Sequence, residues 1–241
     1  MDRQIIAIGG MALPPDLDNL LLIKYFLEQT RRRKPKVAFI GTAGGDSESG
    51  RLRFYAGFSR FECSPTHLPF FARTPRDLES FVLEQDAIFV GGGNTRSMLA
   101  VWRDWGLDAV LRTAWEKGIV LGGGSAGSIC WFEHGVTDSI AGPLTAMPCL
   151  GFLGGSNCPH YDSENQRRPA FRKMIASGRL PPGVAADDGV GLHYIGNRLM
   201  HVVSSRPRAK GYALARSGRQ ALERRLSTRY LGNESKPTKR S

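Results

Sequence analysis

Ile119-Val120-Leu121-Gly122-Gly123-Gly124-Ser125-Ala126-Gly127 decides how this chain is read. A short apolar run that ends in consecutive glycines is the sequence of a buried strand passing into a sharp turn. Gly123-Gly124-Ser125-Ala126-Gly127 fits G-x-S-x-G, and Ser128 to Phe132 reads as the helix that follows. In a strand-to-helix turn, small flanking residues let the serine hydroxyl stand clear of the sheet, with the Ala126 N–H beside the reacting oxygen. A glycine-rich loop that only packs closely or cradles a phosphate has the same composition, so the motif alone leaves both readings open.

Outward from this stretch the same grammar repeats. Ile5 to Ile8 reads as a buried strand; Val37 to Ile40 opens into Gly41-Thr42-Ala43-Gly44-Gly45, and Ala87 to Val90 into Gly91-Gly92-Gly93-Asn94-Thr95. Between them, Leu17, Leu20, Leu21, Tyr25 and Phe26 mark one helix face, and Thr95 to Trp105 and Leu107 to Lys117 mark two more. Arg167 to Ser177 is a further helix, with Pro169 near its start where proline is tolerated. Strands alternating with helices predict an α/β fold with a mostly parallel sheet, whose ligand sites gather at the carboxyl ends of the strands. Gly135 to Cys158 is Gly- and Pro-rich and reads as loops and short strands, while runs around Val190, Met200 to Val203 and Tyr212 to Leu214 suggest later strands, antiparallel at one edge. No repeat or linker divides the chain, which predicts one catalytic domain over 1–231 and a basic, polar tail over 232–241.

Composition narrows the partners. The chain has 241 residues, long enough for one sizeable core, and its longest apolar candidate, Leu20 to Leu27, is broken by Lys24, far short of the roughly 20 residues of a membrane span. Met1-Asp2-Arg3 followed by an apolar run that reaches Gly9-Gly10 at once does not suit a secretory signal. Cys63, Cys130, Cys149 and Cys158 have no C-x-x-C or zinc-ligand spacing, which predicts reduced thiols in the cytoplasm. The net charge of +11 is uneven: from Arg206 onward eleven Lys/Arg face two Asp/Glu, a net of +9, so residues 1–205 carry 22 − 20 = +2. We read this excess as a solvated periphery. Nucleic acid is disfavoured as a partner because no basic-aromatic motif accompanies the charge.

A nucleophilic serine needs a base. His67, His134, His193 and His201 sit in expected strands, helix ends or apolar runs, whereas His160 lies in the polar turn Asn157-Cys158-Pro159-His160-Tyr161-Asp162, stiffened by proline. An acid must orient the imidazole; Glu133 and Asp138 lie between serine and histidine, Asp162 and Glu164 follow, and the residues alone leave the choice among these four open. A tetrahedral intermediate needs donors, and the Gly91–Thr95 turn supplies backbone N–H groups at a helix start.

Together, Val90-Gly-Gly-Gly-Asn-Thr95, Gly124-Ser-Ala-Gly127 and Cys158-Pro-His160 resemble the peptidase E (aspartyl dipeptidase) family of serine peptidases, over residues from about 35 to 205. The resemblance implies a flavodoxin-like three-layer α/β sandwich similar to the class I glutamine amidotransferases. It also implies Ser125 as nucleophile, His160 as general base, and Gly93 with Ala126 as the oxyanion hole. The family's acid lies between serine and histidine, where Asp138 is the closest match and Glu133 the reserve. Asn94, Glu164 and Arg168 are the implied substrate-binding positions. The arginine that helps bind an N-terminal aspartate in that family has no clear equivalent in Ser163-Glu164-Asn165-Gln166-Arg167-Arg168, so an N-terminal aspartate is one possible requirement and the residues leave it open. The implied activity is hydrolysis of a small peptide through an acyl-enzyme, with no metal or organic cofactor, and a homodimer is left open. The alternative is a noncatalytic binding protein on the same fold, which would keep the glycine turns but not react with a fluorophosphonate.

Overall fold

The computed structural model describes residues 2–11 and 19–232; the expected helix position Leu17 and the tail beyond Gly232 lie outside them. The first half alternates as the glycine turns predict: β1 (Gln4–Ile8), α1 (Leu21–Glu28), β2 (Lys36–Ile40), α2 (Glu48–Phe58), β3 (Ser64–Leu68), α3 (Leu78–Leu83), β4 (Ala87–Val90), α4 (Thr95–Asp104), α5 (Leu107–Glu116), β5 (Val120–Gly124) and the short α6 (Ala126–Ile129). The second half is richer in strands: β6 (Phe132–Thr137), β7 (Thr145–Pro148), β8 (Leu153–Cys158), α7 (Arg167–Ala176), β9 (Gly183–Ala186), β10 (Val190–Ile195), β11 (Arg198–Ser204), β12 (Gly211–Ser217), β13 (Gln220–Arg225) and β14 (Arg229–Tyr230).

The main sheet has eight strands in the order β14-β11-β10-β1-β5-β4-β2-β3. Neighbours from β1 to β3 are parallel, and β10 pairs antiparallel with both β1 and β11. Alternation along each strand sends successive residues to opposite faces. Ile5 and Ala7 join Val90, Leu121, Trp102 and Trp115 under α4 and α5, whereas Ile6 and Ile8 join Phe39 and Phe89 under α1 and α2. This is the expected α/β sandwich. Among the described residues, no helix is long and apolar enough to cross a membrane.

A second sheet of six strands, β13-β12-β9-β8-β6-β7, stands beyond the expected elements, with α7 packed on it through Phe171, Met174 and Ile175. The segment expected as loops and short strands, 135–158, supplies three of these strands or their ends.

His193 on β10 is buried, with Tyr25 Oη 2.8 Å from Nδ1 and Gln4 Oε1 3.0 Å from Nε2. Burial, helped by neighbouring His201, pushes its pKa down from 6.5 to about 4. Between these values the unfolded chain binds a proton that the folded chain refuses. Stability therefore falls as the pH drops through this window, by up to about 3 kcal/mol. In His193→Gln the gap in thermal midpoint between about pH 7 and about pH 4.5 should shrink; a gap as wide as in the parent would show that His193 does not carry the effect.

Candidate active site

β5 lies between β1 and β4, so the turn that ends it is flanked by the end of β1 on one side and by Gly91–Asn94 on the other. Ser125 stands at φ 57° and ψ −116°, a sparsely populated conformation for a residue with a side chain. Three backbone bonds hold it there: its N–H donates to Ile8 O at 3.3 Å, and its carbonyl accepts from Ser128 N at 2.8 Å and Ile129 N at 3.1 Å. The strained turn leaves the serine partly exposed at the sheet's carboxyl edge, as a strand-to-helix elbow requires.

His160 also has a positive φ, 54°. Its Nδ1 lies 2.7 Å from Asp188 Oδ1, in the turn between β9 and β10. Burial pushes the Asp188 carboxyl up, but hydrogen bonds from His160 and Ser163, and the charges of His160 and Arg206, outweigh it and hold the pKa below the ordinary value. Asp188 is thus kept as a carboxylate that accepts from the imidazole.

One segment organises all three residues. The carbonyls of Ile8, Gly9 and Gly10 accept, in order, the N–H groups of Ser125 at 3.3 Å, His160 at 3.1 Å and Gly189 at 2.7 Å. Serine, histidine and the residue after the aspartate therefore hang on successive peptide groups at the end of β1. Gly10 is required by close approach: a Cβ there would lie 2.1 Å from Asp188 Oδ1 and 2.8 Å from His160 Cε1.

The glycine turn after β4 closes the other side. A Cβ on Gly92 would stand 3.0 Å from Ser125 Cβ and 3.5 Å from its Oγ. Gly91 N–H donates to Ile40 O and Asn94 N–H to Ala43 O, while those of Gly92 and Gly93 make no backbone bond to a described residue. Ala126 opens α6, so its N–H precedes the first intrahelical bond. This is a donor set beside the serine hydroxyl, suited to a developing oxyanion.

A model of peptidase family S51 matches residues 5–202. The chain belongs to peptidase family S51. It is a serine-type peptidase by that membership. A Bacillus subtilis (strain 168) protein, the uncharacterized peptidase YgaJ, is 50% identical over 230 residues, covering 95% of this chain and 100% of that one. Among solved structures, a peptidase from an acI-B1 Actinobacterium superposes with a TM-score of 0.68 at 17% identity over 95% of both chains. A candidate peptidase E protein from Listeria monocytogenes EGD-e superposes at 0.54, also at 17% identity, over 94% of this chain and 100% of that one. At such identities the two structures speak for the fold.

In this S51 peptidase neither expected acid pairs with His160. Asp138 is 63% exposed and faces the buried Arg167, with Oδ2 3.6 Å from Nη2. The reserve, Glu133, accepts from Gly155 N at 2.8 Å on the exposed side of β6. The carboxylate that reaches His160 is Asp188, which lies after the histidine and outside the four expected acids. The implied substrate residues are also engaged within the protein. Asn94 caps α4 through Ser97 N at 2.9 Å and donates to Ser139 O at 3.1 Å. Glu164 accepts from Arg167 Nε at 2.6 Å. Arg168 pairs with Glu223 and lies over the rings of Tyr161 and Tyr212.

Proposed function

We propose that this S51 peptidase hydrolyses the amide bond of small peptides with Ser125 as nucleophile, His160 as general base and Asp188 as the orienting acid. Ser125 Oγ attacks the carbonyl carbon while His160 Nε2 takes its proton; the tetrahedral oxygen is received by N–H groups of Ala126 and of the Gly92–Gly93 turn. Collapse expels the amine, which takes the proton from His160, and water repeats the sequence on the acyl-enzyme. The observation that carries this reading is the suspension of the strained serine and the Asp188-paired histidine from the adjacent carbonyls of Ile8 and Gly9 at the end of β1.

The cysteines do not compete for the role. Burial pushes Cys149 and Cys158 up to about 12 and Cys130 well above its ordinary value, so none supplies a thiolate near neutral pH. All four cysteines are unpaired, which supports a reducing compartment such as the cytoplasm.

Specificity follows from the arginines. Arg167 is held by Glu164, Asp138 and Val136 O, and Arg168 by Glu223, so both arginines of the 163–168 segment already have partners. We therefore propose that hydrolysis is not confined to an N-terminal aspartate. A dipeptide panel varying the first residue, run beside fluorophosphonate labelling read by peptide mass, tests both statements. Labelling is expected at Ser125 with loss of hydrolysis. Full activity after complete modification of Ser125, or parental turnover in Ser125→Ala, would refute the mechanism, and cleavage of Asp-X alone would refute the specificity.

A further inference from the structure

The charged C-terminal segment sends one arginine to the catalytic cluster. Arg206 Nη1 donates to Asp162 Oδ2 at 2.8 Å and to the Asp188 carbonyl oxygen at 3.0 Å. Asp162 Oδ1 in turn accepts the Asp188 N–H at 2.9 Å. One ion pair thus grips both polar groups of the Asp188 main chain, leaving its side chain to His160.

We propose that Asp162 and Arg206 are positioning residues that fix the Asp188 peptide so that its carboxylate meets His160 Nδ1. The inference rests on Asp188 being the triad acid. Other contacts of this turn leave that task to the pair. Asp187 points elsewhere, accepting from Lys210 N at 2.8 Å and Tyr212 Oη at 3.5 Å. Gly189 donates to Gly10 O and accepts from Ser205 N at 2.8 Å. Gly189 also makes way for the arginine: at φ 76°, an added Cβ would come within 2.9 Å of Arg206 Cδ and Ser205 Oγ. The groups facing the Asp188 carboxylate or its peptide are therefore His160, Ser163, Asp162 and Arg206, with Asp187 adjacent.

Exposure argues against a role in stability. Arg206 and Asp162 side chains are 49% and 30% exposed, and pairs so open to water contribute little to folding. Their geometric effect is not diluted in that way, because a displacement of about 1 Å at a reacting group can cost about 100-fold in rate.

The test is the second-order rate of Ser125 labelling by a fluorophosphonate, with the downfield proton resonance of His160 Nδ1, in R206Q, R206K, D162N and D188N. R206Q and D162N should label roughly 10- to 100-fold more slowly and lose the resonance, with thermal midpoints close to the parent's. R206K, whose ammonium still reaches one acceptor, should recover part of both. D162N reports independently if R206Q does not fold, since it takes away the carboxylate that Arg206 meets and leaves the arginine in place. Parental rates and resonance in R206Q and D162N, with slow labelling in D188N, would overturn the positioning role and leave the triad standing. Parental labelling in D188N would remove the reading on which the inference rests.

Discussion

Asp188→Asn is expected to lower turnover by about four orders of magnitude, whereas Asp138→Asn should leave it within about twofold. The asymmetry comes from the atoms each carboxylate meets. Asp188 Oδ1 lies 2.7 Å from His160 Nδ1, so an ionised Asp188 holds the proton on Nδ1 and frees Nε2 to accept from serine. An asparagine in its place can turn its amide nitrogen toward Nδ1, which then becomes an acceptor; the proton moves to Nε2, the wrong tautomer for a base. Asp138 faces Arg167 across 3.6 Å and is mostly in water, so neutralising it removes a screened charge and no orienting bond. Steady-state kinetics on the dipeptide cleaved best, with both variants checked for folding, decides between them. Equal losses, or a larger loss in Asp138→Asn, would return the acid to the loop between serine and histidine.

The contrast between these two aspartates shows where the sequence was legible. Parallel strands that end in glycine turns announce themselves locally, which is why β1, β2, β4 and β5, the helices α4 and α5, and the serine turn all lie close to their expected places. His160 stands out in the sequence because proline and polar neighbours mark its turn. Asp188 does not, because its relation to His160 arises when β8 and β9 pair in the second sheet, and that pairing rests on strands such as Leu153–Cys158 whose glycines mask the period of two. A signal did exist: Ala185-Ala186-Asp187-Asp188-Gly189-Val190 places two carboxylates and a glycine between apolar strand ends, where a turn at the sheet's edge is expected. The charge count misled in a similar way. Residues from 206 onward looked peripheral in sum, yet Arg206 itself lies 3.0 Å from the Asp188 carbonyl. A net charge describes a segment and is silent about which of its cations meets the Asp188 turn.

Gly10→Ala should reduce turnover by about 100-fold or more while the chain still folds. Nothing in the serine motif includes residue 10, and its effect follows from space alone. The added Cβ would begin 2.1 Å from Asp188 Oδ1 and 2.8 Å from both Asp188 Cγ and His160 Cε1. Relief requires moving the carboxylate or the imidazole by about 1 Å, a displacement that lengthens the bond between them and misplaces the proposed base. The alternative, retreat of the β1 end, is resisted because the Ile8, Gly9 and Gly10 carbonyls hold Ser125, His160 and Gly189, so a backbone shift would misplace the serine as well. Either route damages the same reaction. Gly154→Ala is the control, since a Cβ there meets nothing within 4 Å on the exposed side of β8. Circular dichroism to establish folding and turnover of both variants would separate the cases, and a folded Gly10→Ala enzyme as active as Gly154→Ala would show that the β1 end does not set the geometry of the triad.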